Sequence, residues 1–318
     1  MTKKNILLTG GAGFIGSNLL QSLLKDPRVN LVRVLDNLST GHRSNIDRFE
    51  GTANYEFILG DIRDMQTCLE VCDGIDLICH QAALGSVPRS VENPILTNEV
   101  NITGTLNIFK AAVDKGIKRV VFAASSSTYG DSETLPKEED VIGAPLSPYA
   151  VTKYVNELYA QVFNSTYKLD YIGLRYFNVF GPHQSPDGPY AAVIPLFIKA
   201  ALENKSPNIN GNGENSRDFT YIENAVHANL LALFTEKQEA INQIYNIAYG
   251  EQTNLNQLWK SIKELTHSTI EPCYGPPRKG DVKYSVADIH KAQQLLGYKP
   301  GHSVEDGLKE TIAWFKTQ

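Results

Sequence analysis

Short apolar runs alternate with amphipathic stretches through the first half of this chain. Ile6–Thr9, Leu31–Asp36, Tyr55–Leu59, Leu77–His80, Val120–Ala124 and Tyr171–Arg175 read as strands. Helical spacing of apolar residues separates most of them, near 14–26, 64–72, 93–115 and 147–167. Such alternation predicts a doubly wound parallel sheet whose ligands lie along the carboxyl ends of the strands. The loop Gly181-Pro-His-Gln-Ser-Pro-Asp-Gly-Pro189 is dense in turn residues and marks a change of pattern. Beyond it come short strands, the turn Asn210-Gly-Asn-Gly-Glu-Asn215, and helices near 191–203, 222–236, 254–266 and 303–316. This second part is expected to be a smaller α/β unit covering the open face of the first.

Composition narrows the picture mainly by exclusion. The 318 residues are 42% hydrophobic and 20% charged, ordinary for a globular chain with a sizeable core. A net charge of -5 without a basic stripe speaks against a nucleic-acid partner. The most apolar stretch, Val193–Leu202, is short and contains Lys199, so no membrane span is expected. The first strand follows four residues after the start, leaving no room for a signal peptide, and a cytoplasmic location is expected. Cys68, Cys72, Cys79 and Cys273 include no Cys-x-x-Cys pair, and only His80 lies near as a further ligand. Reduced thiols and no metal are expected.

Candidate chemistry begins where the first strand ends. Thr9 is followed by Gly10, Gly11, Gly13 and Gly16, then by the amphipathic run Leu19, Leu20, Leu23 and Leu24. Strand, glycine turn and helix form the setting in which a backbone turns tightly against a pyrophosphate and offers it a helix N-terminus. Gly11-x-Gly13-x-x-Gly16 fits the dinucleotide fingerprint, and Gly10-x-x-Gly13-x-x-Gly16 fits its short-chain dehydrogenase variant. Asp36 falls 20 residues after Gly16, at the end of the second strand, where a ribose diol needs an acceptor. A carboxylate there repels a 2′-phosphate, so NAD is favoured over NADP.

Tyr149 and Lys153 open the helix after Ser147-Pro148 and, four apart, share one face. A lysine charge about 5 Å from a phenol, at an effective dielectric of about 20, stabilises the phenolate by roughly 3 kcal/mol. That is a fall of about two in the pKa of Tyr149, which makes it a usable general base. Ser125, Ser126 and Ser127 end the strand Val120–Ala124, where hydroxyls can bond a substrate alcohol and help pass its proton to the tyrosine. No Gly-x-Ser-x-Gly elbow is present, which argues against a hydrolytic serine.

At these residues the chain resembles the extended short-chain dehydrogenases/reductases, and closely the nucleotide-sugar 4-epimerases acting on UDP-N-acetylglucosamine or its uronic acid. The marks are Thr9-Gly-Gly-Ala-Gly-Phe-Ile-Gly16, Asp61-Ile62, His80-Gln-Ala-Ala83, Ser125-Ser-Ser-Thr-Tyr-Gly-Asp131 and Tyr149-x-x-x-Lys153. They continue with Arg175-Tyr-Phe-Asn-Val-Phe-Gly181, Ser216-Arg-Asp-Phe219 and Arg278-x-Gly-Asp281, so the resemblance spans essentially the whole chain. It implies a Rossmann-type NAD-binding domain over 1–178, with 215–247 returning to it, and a substrate-binding part over 179–318. Gly10, Gly13, Phe14, Ile15, Gly16, Asp36, Asn37 and Val179 would contact NAD. Asp61 and Ile62 would hold its adenine, and Gln81, Ala82 and Asn101 would line its channel. Tyr149 and Lys153 would bind the nicotinamide ribose and act in catalysis together with Ser125. Ser86, Ser125, Ser126, Tyr149, Asn178, Val193, Arg217, Arg278, Asp281 and Ser285 would hold the UDP-sugar. Guanidinium groups suit a diphosphate because they bind it bidentately. The resemblance also implies a homodimer, with helices near 93–115 and 147–167 forming a four-helix bundle.

The same fold and cofactor serve 4-epimerases, 4,6-dehydratases and decarboxylases. Dehydratases of this family carry an Asp-Glu pair two and three residues before the Tyr-Gly of the strand-end motif, and decarboxylases typically keep the Glu. Ser126 and Ser127 occupy those positions here, so elimination lacks its acid and base. Epimerisation needs only oxidation at C4, turnover of a transient 4-keto sugar and return. Galactose epimerases close the sugar pocket with a tyrosine four residues after Arg-x-Gly-Asp. Ser285 stands there instead and leaves room for a 2-acetamido group, while Tyr284 stands where a polar residue such as histidine is expected. Ala83-Leu-Gly-Ser-Val-Pro-Arg89 also resembles the N-acetylhexosamine branch. UDP-glucose/UDP-galactose and UDP-glucuronate 4-epimerisation are the alternatives, followed by dehydration, decarboxylation and a non-catalytic NAD-binding protein.

Overall fold

The computed structural model of the chain describes residues 2–187, 191–277 and 283–318. It opens with β1 (Lys4–Thr9), α1 (Phe14–Lys25), β2 (Val29–Asp36), β3 (Tyr55–Leu59), α2 (Met65–Val71) and β4 (Leu77–His80). Next come α3 (Val87–Glu92), α4 (Pro94–Asn98), a π-helical turn over Glu99–Thr103, and α5 (Gly104–Asp114). β5 (Arg119–Ser125), α6 (Pro148–Tyr167) and β6 (Asp170–Tyr176) complete the first half. The second half holds β7 (Val179–Phe180), α7 (Val193–Leu202), β8 (Asn208–Asn210), β9 (Ser216–Arg217), β10 (Thr220–Tyr221) and α8 (Ile222–Phe234). β11 (Gln243–Ile247), β12 (Thr253–Asn254), α9 (Leu255–Thr266), β13 (Cys273–Gly275) and α10 (Val304–Phe315) follow.

Seven strands form one parallel sheet in the order β3-β2-β1-β4-β5-β6-β11. In β1, Ile6 and Leu8 face one apolar cluster and Leu7 the other, and all three are fully buried. Two-sided burial is what a parallel sheet covered by crossover helices requires. α2, α5 and α6 cover one face, while α1 and α8 pack together on the other. The strand order reverses between β1 and β4, which opens a crevice at their carboxyl ends. The fold is therefore the Rossmann-type doubly wound sheet expected from the sequence.

Two departures have physical reasons. The helix expected over 93–115 is α4, the π-helical turn and α5 in succession, preceded by the short α3. Asn93 caps α4 and Pro94 starts it, but the extra residue of the π turn rotates Asn101 inward, where it is fully buried. The seventh strand, β11, lacks a clean apolar signature because Asn246 interrupts it. That side chain is buried yet satisfied, accepting from the Tyr129 hydroxyl at 2.6 Å and donating to the Lys137 and Asp288 carbonyls.

α6, which carries Tyr149 and Lys153, is fixed with particular care. Ser147 caps it by accepting from the Ala150 amide, and Pro148 fills its first turn. Below, Arg175 of β6 makes a bidentate pair with Glu157 of α6 at 2.9 and 2.7 Å, both side chains almost fully buried. Guanidinium and carboxylate satisfy each other in register, which locks the helix's rotation relative to the sheet.

Candidate active site

The turn after β1 shows why glycines stand there. Gly10 has a φ of 72°, and a Cβ on it would lie 2.7 Å from the Ala82 amide nitrogen. A Cβ on Gly16 would lie 2.0 Å from the Gly10 carbonyl oxygen, so α1 could not pack on the turn. Gly13 differs: a Cβ there would meet only the Gly10 carbonyl oxygen, at 3.3 Å, and its outer side is open. Gly13 is also the N-cap of α1 and gives it no side-chain hydrogen bond. The first amides of the helix thus face an open cradle that suits a pyrophosphate. Phe14 and Ile15 form the first turn behind it.

Asp36 closes this side of the crevice. Its carboxylate is buried, accepts from the Ala12 amide at 2.9 Å and the Leu38 amide at 2.8 Å, and keeps a lone pair on each oxygen. Burial raises its pKa above the ordinary value. Asn37 donates to Asp61 at 2.9 Å, so the ends of β2 and β3 are joined beside the turn. Arg63 pairs with Asp61 and, as the leading cause, holds that carboxyl down at about 2. The Ile62 side chain lies buried against Gly104.

At the end of β4 a buried polar chain connects the sheet to the π-helical turn. His80 contacts Thr9 Oγ1 at 2.6 Å and Thr105 Oγ1 at 2.9 Å, and burial pushes its pKa down to about 3. Asn101 accepts from the Leu84 amide at 2.7 Å and donates to the Leu84 carbonyl and to Thr152. Its side chain is thus spent on holding the 82–84 backbone in place. Gln81 bonds Asn229 and the Tyr176 hydroxyl. Cys68, Cys72 and Cys79 are free thiols, buried and pushed up to about 12, and no group of metal-ligating side chains occurs among the described residues.

Ser125, Tyr149 and Lys153 converge at the end of β5. Ser125 Oγ accepts from the Ser127 hydroxyl at 2.9 Å and the Ser127 amide at 3.2 Å, and it stands near enough to the Tyr149 phenol to favour its ionised form. Ser126, half-buried, begins the 3₁₀ turn between them. Lys153 Nζ donates to the Ala123 carbonyl at 2.7 Å and stands 5.9 Å from the centre of the Tyr149 ring. The expectation that Lys153 lowers the phenol's pKa needs correction. Burial raises it instead, with the nearby Ser125 hydroxyl as partial offset. Burial likewise lowers Lys153 to about 8.

Ser86, Asn178, Val179 and Val193 line a cavity of about 410 Å³ together with Gln184 and Phe219. Ser86, with φ 96°, caps α3 through the Arg89 amide. Asn178 donates to the Asp218 carbonyl at 3.1 Å. Arg217 lies in β9, paired antiparallel with β12. Ser285 is half-buried between Lys283, whose carbonyl accepts from Ser216, and Val286, whose carbonyl accepts from Lys137. Arg278 and Asp281 lie outside the described residues. Sequence reasoning passed over Gln184, whose amide donates to the Val179 carbonyl at 3.2 Å while its oxygen is buried without a partner. Its turn-rich surroundings signalled only a boundary. Arg175 and Glu157 were also missed as a pair, since nothing in the sequence sets them opposite each other.

The profile of the NAD dependent epimerase/dehydratase family matches residues 6–248. The UDP-glucose 4-epimerase of Mycolicibacterium smegmatis is 34% identical over 314 residues, covering 98% of each chain. Among solved structures, UDP-N-acetylglucosamine 4-epimerase from Methanobrevibacter ruminantium, in complex with UDP-N-acetylmuramic acid, is 40% identical with a TM-score of 0.94 over 100% of both chains. UDP-glucose 4-epimerase from Thermotoga maritima, with UDP-glucose, is 38% identical with a TM-score of 0.92 over 98% of this chain and 99% of that one.

Proposed function

The chain belongs to the NAD dependent epimerase/dehydratase family, and on that premise we propose that it is an NAD-dependent 4-epimerase interconverting UDP-N-acetylglucosamine and UDP-N-acetylgalactosamine. One observation carries the choice of reaction: Tyr149 and Ser125 meet at a strand end where Ser126 and Ser127, not carboxylates, fill the two positions that elimination needs. The choice of sugar rests on Ser285, whose short side chain leaves room beside C2, and on the resemblance to the Methanobrevibacter enzyme.

NAD, when bound, supplies a reversible hydride acceptor. The residues assigned to it are the amides of the Gly10–Gly16 turn at the pyrophosphate, Asp36 at the ribose diol, and Asn37, Asp61 and Ile62 toward the adenine. Asn101 acts by holding the backbone of the channel. Tyr149 takes the proton of the C4 hydroxyl and returns it to the C4 oxygen after the 4-keto sugar has turned its other face to be reduced, and Ser125 orders the same oxygen. Lys153 keeps a positive charge beside the phenol below about pH 8. No net proton is gained or lost over a cycle, which suits a pair whose members recover their starting forms. Ser86, Asn178, Val193, Arg217, Arg278, Asp281 and Ser285 are assigned to the UDP-sugar. Val151, Val155, Leu158 and Val162 form an apolar stripe on α6 beside Val91 and Ile95, and this stripe supports assembly as a homodimer.

The test is product analysis of purified protein mixed with UDP-N-acetylglucosamine and no added NAD. UDP-N-acetylgalactosamine is expected, and Tyr149→Phe lowers the rate by roughly 10²–10⁴-fold. Conversion of UDP-glucose or UDP-glucuronate alone would correct the sugar, and a keto-deoxy or pentose product would overturn the reaction.

A further inference from the structure

Asp218 belongs to no proton transfer in this scheme, yet it is fully buried among segments distant in the chain. One carboxylate oxygen accepts from the Tyr249 amide at 3.1 Å and the Gly250 amide at 3.2 Å, in the loop after β11. The other accepts from the Gly250 amide at 3.1 Å and from the Ala287 amide at 3.2 Å. The backbone carbonyl of Asp218 holds the Asn178 side chain on the cavity wall, and Phe219, next in sequence, is part of the same wall. Ala287 lies two residues beyond Ser285 on the segment that follows Arg278 and Asp281.

We infer that Asp218 is a positioning residue which clasps the β9–β10 wall, the post-β11 loop and the Ser285 segment into one substrate-binding surface. This inference rests on the reading of the cavity as the UDP-sugar site. It concerns affinity rather than turnover, because Tyr149, Ser125 and Lys153 lie on β5 and α6 and none of them touches the clasp. Only a carboxylate can do the work. Three backbone N–H groups converge on two oxygens, and an amide offers one oxygen and turns an N–H₂ toward a donor. Burial keeps the clasp free of competing water and raises the acid's pKa to about 7, while the hydrogen bonds from the Ala287, Gly250 and Tyr249 amides pull it back down.

Asp218→Asn tests this. UDP binding is followed by calorimetry, together with NAD content, thermal midpoint, and kcat and KM for the UDP-sugar. The expected result is UDP affinity weakened about tenfold and KM raised in parallel, with NAD content retained and kcat nearly unchanged. Ala287→Pro removes one amide, leaves the carboxylate in place, and should weaken UDP binding in the same direction. It decides the matter should Asp218→Asn fail to fold. A lower thermal midpoint with unchanged UDP affinity in either folded variant would make Asp218 a stability residue only and overturn the inference. If the wild-type chain binds no UDP, the assignment of the cavity fails and the inference with it. Wild-type binding matched by equal binding in the variants sinks the inference alone.

Discussion

The glycine turn is built from consecutive residues, Thr9 to Gly16, whereas the cavity takes its walls from residues 86–88, 178–180, Gln184, 191–194 and Phe219. In the turn most requirements are local: one positive φ, one close helix contact and one open cradle, with the approach of Ala82 to Gly10 added from the end of the neighbouring strand β4. In the cavity, two-residue strands such as β7 and β10 are positioned by side chains from elsewhere, Asn178 on Asp218 and Gln184 on Val179. A local device tolerates almost no substitution and suits a part that is the same in every turnover. An assembled wall can be altered one segment at a time, which is where a change of sugar can be accommodated.

The sharpest way to break this contrast is Gly16→Ala. Its Cβ would meet the Gly10 carbonyl oxygen at 2.0 Å, a backbone atom that cannot step aside. Overpacking of this kind costs about 1–3 kcal/mol, and NAD content after purification should fall along with the thermal midpoint. Full NAD content at an unchanged midpoint would show that the turn is less constrained than its geometry says.

A smaller effect is expected on the cavity side. Gln184→Leu removes the bond to the Val179 carbonyl at nearly equal volume, a loss of about 1 kcal/mol. UDP-sugar KM should rise about fivefold, again by that magnitude, with NAD content untouched. Loss of NAD in this variant would mean that the two sides are not separable.

At neutral pH the smallest expected effect comes from the titration of His80, and it grows only on the acid side. His80 is held neutral, its pKa pushed from 6.5 to about 3. The unfolded chain therefore binds a proton that the folded chain refuses, so His80's contribution is complete above pH 6.5 and is lost as pH falls toward 3. His80→Gln should flatten the acid side of the stability curve measured by denaturant unfolding. An acid limb equally steep in both proteins would place the sensitivity elsewhere.

What could be read from the sequence follows the same division. The first six strands and the turn were legible because each is written in adjacent residues: an apolar run, then Gly10, Gly13 and Gly16, then Asp36 at the next strand's end. Tyr149, Lys153 and Ser125 were legible as motifs, but the direction of the phenol's pKa was not. It depends on how far the folded chain buries the phenol. β11 was hidden by Asn246, whose buried polarity makes sense only beside Tyr129 and Lys137. Gln184 gave no signal of its own and Asp218 only as a member of Ser216-Arg-Asp-Phe219, since the partners of both are fixed by tertiary structure.

The missing cap on α1 ties the protein's persistence to its surroundings. On the reading of this turn as the pyrophosphate site, an anion from outside the chain would complete those first amides, and a molecule bound only to the folded form adds about 2.7 kcal/mol when present at a hundredfold excess over its Kd. An increment of that size changes the fraction of chains exposed to proteases at any moment roughly a hundredfold. A cell short of dinucleotide would then clear this protein faster than one well supplied, with no regulator needed beyond a helix that does not finish itself.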